Sequence, residues 1–254
     1  MLDKLTAQKL ADEFKIDIFT IYREYLQLLF LKYFYQQKRS DQVFFKGGTA
    51  LRFLYGSFRF SEDLDFTSLL AKQNLKELIS KTLKALTKEA GYVSFKQEKT
   101  IAFGFRARIF QDLEDFKFPL TIRLDFSLRE KPFLTTTSLI ETSFPVGSYP
   151  QVLHLKIEEI MAEKIRAILT RTRGRDIFDL WFILSKNVPI DWELVNQKMK
   201  IYQKRTDLEK LTQKVKSFPQ QEIKNDLTRF LPLNYRALCR EIKQMLLEKL
   251  KPNH

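Results

Sequence analysis

The stretch Val43-Phe44-Phe45-Lys46-Gly47-Gly48-Thr49-Ala50-Leu51, followed by Asp63-Leu64-Asp65-Phe66-Thr67, decides how the chain is read. Residues 43–45 are a short apolar run, the paired glycines a turn, and 50–55 a helix. Glycine lets a backbone approach a phosphate closely, and the free N–H groups that open a helix favour anions. In 63–67 apolar and polar residues alternate as in a strand. Asp63 and Asp65 then share one face, and Leu64 and Phe66 point into the core. Two adjacent carboxylates repel, and burying them costs several kcal/mol without a counter-charge. Mg²⁺, or Mn²⁺ in its place, suits such a pair together with substrate phosphate oxygens. A phosphate cradle followed by a paired-carboxylate strand would bring phosphate and metal to one end of a sheet.

Downstream, 120–128 repeats the alternation. Ile122, Leu124 and Phe126 form an apolar face, and Arg123, Asp125 and Ser127 a polar one. In a shared sheet Asp125 would complete a metal triad with Asp63 and Asp65. Two ions could then steady the attacking and leaving oxygens, or Asp125 could accept the proton of the attacking hydroxyl. Each piece alone has a plainer reading: a solvated strand edge, an ordinary turn, and a salt-bridge partner for Arg123. Their order along the chain is what favours chemistry.

Around these motifs, 7–35 carries a helical stripe, 73–90 an amphipathic helix ending at Gly91, and 92–97 and 101–110 strand patterns. Residues 132–150 look irregular, although part of the run could pair with the sheet. Helices are expected at 155–171, 175–186, 191–203, 206–216, 220–230 and 234–250. The fold class is therefore α+β: a core domain over 1–150, then a helical domain over 151–254, with a soft boundary near Pro150.

Composition narrows the partners. The 254 residues carry 44 basic and 31 acidic side chains, a net charge of +13. Of these, 21 basic and 13 acidic residues lie at 156–254, a net of +8. Such an excess suits a polyanion. Lys198, Lys200, Lys204 and Arg205 are the nucleic-acid-binding candidates. Tyr202 and Phe218 could stack on bases or simply pack in the core. A single cysteine, Cys239, excludes an intramolecular disulfide or a cysteine zinc site, and His154 and His254 show no ligand spacing. The N-terminal residues do not read as a secretory signal, and no apolar run could span a bilayer, so a cytoplasmic protein without a membrane partner is expected.

A further charged cluster comprises Lys164, Arg166, Arg171, Arg173, Arg175, Asp176 and Asp179. Asp176 could simply cap the helix that begins there. Alternatively Lys164 contacts a triphosphate and Asp176 orients it.

Phe45–Leu51, Arg59–Phe66, Ile122–Phe126, Glu163-Lys164-Ile165-Arg166-Ala167 and Arg175-Asp176-Ile177-Phe178-Asp179-Leu180 together resemble the AbiEii/AbiGii toxin nucleotidyltransferases. That family sits in the DNA polymerase β-like superfamily and includes the MenT toxins. The resemblance implies a polymerase β-like mixed sheet with flanking helices and a C-terminal helical bundle that completes the site. It makes Asp63, Asp65, Asp125, Lys164 and Asp176 the catalytic candidates. Lys46, Gly47, Gly48, Thr49, Arg59, Ser61 and Lys164 become the nucleotide-binding ones, with Arg52 a further phosphate contact. Whether Asp125 or Asp176 is the general base stays open. The implied reaction moves NMP from an NTP to the 3′ end of tRNA, releases pyrophosphate, and inhibits translation and growth. A protein or small-molecule acceptor, or non-enzymatic RNA binding, are the alternatives. A cognate antitoxin is expected to be encoded alongside.

Overall fold

The computed structural model describes residues 2–98, 102–114 and 116–251. Its contacts divide the chain into two compact units, Met1–Leu155 and Lys156–His254. Among the described residues the first unit holds α1 (Lys4–Phe14), α2 (Ile18–Tyr35), β1 (Val43–Lys46), α3 (Gly47–Tyr55), β2 (Asp63–Ser68) and α4 (Lys72–Ala90). It continues with β3 (Ser94–Gln97), β4 (Gly104–Gln111), β5 (Leu120–Ser127), β6 (Thr135–Leu139) and β7 (Gln151–Leu155).

The strands form one mixed sheet in the order β3-β4-β5-β2-β1-β7-β6. β2 runs parallel to β5 and β1 parallel to β7, while the other neighbours are antiparallel. Alternation drives its core. Phe66 stacks on Phe126 at 4.7 Å between ring centroids, and Phe34 of α2 meets Phe66 at 5.5 Å. Burying each such ring contributes roughly 1.5–3 kcal/mol. Because the side-chain period of a strand is two, sinking Leu64, Phe66, Leu124 and Phe126 turns Asp63, Asp65 and Asp125 to the other face.

The structure refines several expectations. The 7–35 stripe is two helices, because Lys15 takes a left-handed conformation (φ 53°) and the Asp17 carboxylate accepts from the Thr20 amide at 2.9 Å, opening α2. The strand expected at 101–110 begins at Gly104, and Ile101 lies outside the described residues. Part of 132–150 does enter the sheet, as β6. β7 has no counterpart in the sequence reading, being too short for a periodicity signal. Its buried His154 lies 2.8 Å from the Leu155 carbonyl through Nδ1 and 3.0 Å from the Ser138 hydroxyl through Nε2. Burial lowers its pKa below the usual 6.5, as befits a structural histidine joining β6 to β7. His254 lies outside the described residues.

The second unit is helical: α5 (Ile157–Thr170), α6 (Gly174–Ser185), α7 (Trp192–Met199), α8 (Leu208–Lys216), α9 (Gln220–Leu227) and α10 (Leu238–Lys249). α6 packs against α5, α9 and α10. Gly174 opens α6 where a Cβ would lie 2.6 Å from the Glu222 carbonyl oxygen, so only glycine permits this approach to α9. Its amide donates to the Asp226 carboxylate at 2.8 Å, closing one orphan donor of α6. Among the described residues no helix is long and apolar enough to cross a membrane.

Candidate active site

The glycine turn and the acidic strand meet at one spot. Gly47 has φ +82°, a left-handed conformation that side chains with a Cβ rarely adopt. A Cβ at Gly47 would fall 2.9 Å from both the Cβ and the carboxyl carbon of Asp65. The turn is thus moulded around that carboxylate. Thr49 fastens the arrangement, its hydroxyl donating to the Asp63 carbonyl. The glycine turn and the acidic strand are therefore in contact at Gly47 and Asp65.

Sheet register supplies the third acid. Asp65 is the Cα partner of Asp125 across the parallel β2–β5 pair, and of Lys46 across β1–β2. Asp125 in turn partners Arg106 on β4. A row of Arg106, Asp125, Asp65 and Lys46 crosses four strands, and Asp63 and Arg123 pair in the adjacent row. Asp125 does not bond to Arg123 as its plain reading suggested. Its Oδ2 accepts from Arg106 Nε at 2.7 Å, while Arg123 lies 3.9 Å from Asp63. Arg108, two residues along β4, pairs with Glu98 at 2.8 Å. The sequence reading did not single out Arg106 or Arg108, although both lie on the polar side of an alternating strand.

Asp63, Asp65 and Asp125 lie on neighbouring strands β2 and β5, with Asp65 directly opposite Asp125. No group of three or more His, Cys, Asp or Glu side chains among the described residues is placed to hold a metal ion. Asp125 is held by the Arg106 guanidinium. Asp63 and Asp65 carry oxygen donors on one face beside the glycine turn. That donor set fits a hard divalent cation sharing its coordination with phosphate.

Two arginines proposed to meet phosphate are committed elsewhere. Arg52 forms a buried ion pair with Glu24, stacks over the Phe60 ring at 3.5 Å, and donates to the Ser57 carbonyl. Arg59 is 2% exposed and donates to the Phe60 carbonyl at 2.9 Å. Both brace the 56–62 connection into β2 and do not offer a cation to solvent. Lys46, Thr49 and Ser61 are likewise buried.

In the second unit Asp176 and Asp179 are almost fully buried on α6 around Lys164 of α5. Lys164 Nζ lies 3.0 Å from Asp176 and 2.6 Å from Asp179. Arg171 adds a two-pronged contact to Asp176 at 2.9 and 3.1 Å. Burial disfavours the charged carboxylate, but the Lys164 and Arg171 charges outweigh it and lower Asp176 to about 2. Asp176 is therefore a committed anion rather than a group poised to exchange protons at neutral pH.

One nucleic-acid candidate is corrected. Lys198 is completely buried, its ammonium 2.6 Å from Glu159 and 3.3 Å from Glu163, so it locks α7 to α5 and cannot meet a phosphate. Lys200, Lys204 and Arg205 are exposed and line an open groove of about 390 Å³ with Trp192 and Asn196. Phe218 is core, whereas Tyr202 is 38% exposed.

A profile of the nucleotidyl transferase AbiEii toxins, described as a type IV toxin–antitoxin system, matches residues 29–252. The chain belongs to the AbiEii family. It is accordingly a toxin-type nucleotidyltransferase, a family that implies an NTP substrate and an antitoxin. The AbiEii chain is also similar in fold to solved structures. It aligns with MenT4, a nucleotidyltransferase toxin of Mycobacterium tuberculosis H37Rv, at TM-score 0.61 and 20% identity over 97% of this chain and 90% of that one. JHP933 from Helicobacter pylori aligns at TM-score 0.56 and 23% identity over 92% and 94% of the two chains. A putative nucleotidyltransferase from H. pylori gives 0.56 and 24% over 92% and 98%. Among curated protein sequences no match is found.

Proposed function

We propose that this AbiEii protein moves NMP from an NTP to the 3′ end of tRNA in the cytoplasm, releasing pyrophosphate and so blocking translation. The observation that supports this chemistry is the close approach of Gly47 to Asp65, which sets the glycine turn against one carboxylate of the pair. Mg²⁺ held by Asp63 and Asp65, with Mn²⁺ able to replace it, would supply charge neutralisation at the reacting phosphate. The Gly47-Gly48-Thr49 amides orient the phosphates. A ribose hydroxyl of the acceptor attacks the α-phosphate, its proton passes to a carboxylate, and the bond to pyrophosphate breaks. Positioning and charge neutralisation account for the rate.

The acceptor reading rests on the basic second unit, net +8, and on the exposed Lys200, Lys204 and Arg205. The test is incubation of the purified chain and Mg²⁺ with each labelled NTP and total tRNA, read on a denaturing gel. Label on tRNA, lost on adding EDTA and in Asp65→Asn, is the expected result. Label on protein instead would shift the acceptor. No transfer with any nucleotide would refute the reading.

A further inference from the structure

The row Arg106, Asp125, Asp65, Lys46 places two acids between two cations across β4, β5, β2 and β1. Arg106 closes on Asp125 at 2.7 Å, and its side chain is 41% exposed. It can therefore swing away without opening the core. Arg108 sits two residues along the same strand and serves a different acid, Glu98. The Arg106–Asp125 pair is thus one specific contact within a general cloud of charge.

A guanidinium on a carboxylate has two consequences. It cancels the charge that would attract a cation, and it keeps a planar donor fork that suits phosphate as well as carboxylate. The geometry points to Arg106 as an exchangeable counter-ion. It holds Asp125 closed while the site is empty, then passes to a phosphate of the incoming triphosphate and leaves Asp125 open to a divalent cation. This rests on the NTP and cation reading given above. Charges remain paired before and after, so neither state buries an isolated ion. By linkage, nucleotide entry and cation entry at Asp125 must favour each other.

The test uses the full chain and two probes. Mn²⁺ alone, without nucleotide, is titrated by electron paramagnetic resonance, and a fluorescent NTP analogue is titrated separately in EDTA. Opening a half-exposed pair should raise Mn²⁺ affinity in Arg106→Gln by about fivefold to tenfold over wild type. Asp125→Asn in that background should abolish the gain, and Arg108→Gln, which removes the same charge, should give less than half of it. Analogue binding should weaken about tenfold in Arg106→Gln. Arg106→Lys keeps the charge but loses the fork. It should bind Mn²⁺ as wild type does while binding the analogue more weakly, which guards against a folding defect in the glutamine variant.

A Mn²⁺ affinity in Arg106→Gln equal to wild type or to Arg108→Gln, or a gain that survives Asp125→Asn, overturns the exchange. If wild type binds both probes in that case, the nucleotidyltransfer reading stands. A wild-type chain that binds neither overturns both.

Discussion

Replacing Gly47 with alanine tests whether the turn is shaped by Asp65. Two costs combine. Left-handed backbone costs an alanine roughly 1–2 kcal/mol. The new methyl would stand 2.9 Å from two carbons of Asp65, and overpacking of that kind typically adds about 1–3 kcal/mol. The expected loss is therefore about 2–5 kcal/mol. At roughly 2–4 °C per kcal/mol for a chain of this size, thermal unfolding should fall by about 4–20 °C. Gly56 provides the control. It also has a left-handed φ (+74°), but a Cβ there meets nothing within 4 Å. Gly56→Ala should lose only the backbone cost, about 1–2 kcal/mol, and keep activity. Differential scanning fluorimetry gives the first comparison, and pyrophosphate release from NTP the second. Gly47→Ala should lose nearly all turnover even at temperatures where it is folded, because displacing Asp65 disturbs cation and phosphate together. If the two alanine variants melt within a degree of each other and both turn over, the claim that the turn is built around that carboxylate is wrong.

Other outcomes follow from the same geometry. Asp176→Asn should destabilise the chain by about 2–3 kcal/mol, since Arg171 and Lys164 lose a buried anion while Lys164 keeps Asp179, and circular dichroism melts would show it. Ionised Asp176 has a folded pKa of about 2 against an ordinary 3.8, so its pH-dependent contribution is about 2 kcal/mol. That contribution is complete above about pH 4 and fades as pH falls towards 2. The gap between wild type and Asp176→Asn should therefore be flat from pH 5 to 7 and narrow below pH 4; a gap that widens on acidification contradicts the assignment. Lys198→Met should cost about 3–5 kcal/mol by stranding buried Glu159, and leave the salt dependence of tRNA binding unchanged. Lys204→Ala and Arg205→Ala should do the reverse, leaving the melting temperature within about 2 °C and lowering the salt slope by about one each in filter binding.

Much of the site could be read from residue order, because period-two alternation is a local property. The pattern Asp63-Leu64-Asp65-Phe66 has one stable solution when Leu64 and Phe66 are buried, and the same holds for Leu124-Asp125-Phe126. The family motifs added Lys164 and Asp176, which local patterning could not distinguish from a helix cap. Misreadings came where long side chains with charged ends were assumed to face water. Arg52, Arg59 and Lys198 each found a buried partner: Glu24 of α2 for Arg52, the adjacent Phe60 carbonyl for Arg59, and Glu159 and Glu163 of α5 for Lys198. Strand β7 escaped because five residues are too few to show a period and its register is set by β1 and β6.

The sequence alone determined that this chain carries an acidic strand, a glycine turn ahead of it and a strongly basic helical C-terminal part, since those depend on neighbours along the backbone and on composition. Only the tertiary structure decided which cation meets which anion. Arg106 reaches Asp125 across antiparallel β4 and β5, nineteen positions apart, and Lys198 reaches Glu159 across two helices. Such pairings depend on strand register and helix packing, and these are set by burial of the apolar side chains rather than by the charged residues themselves.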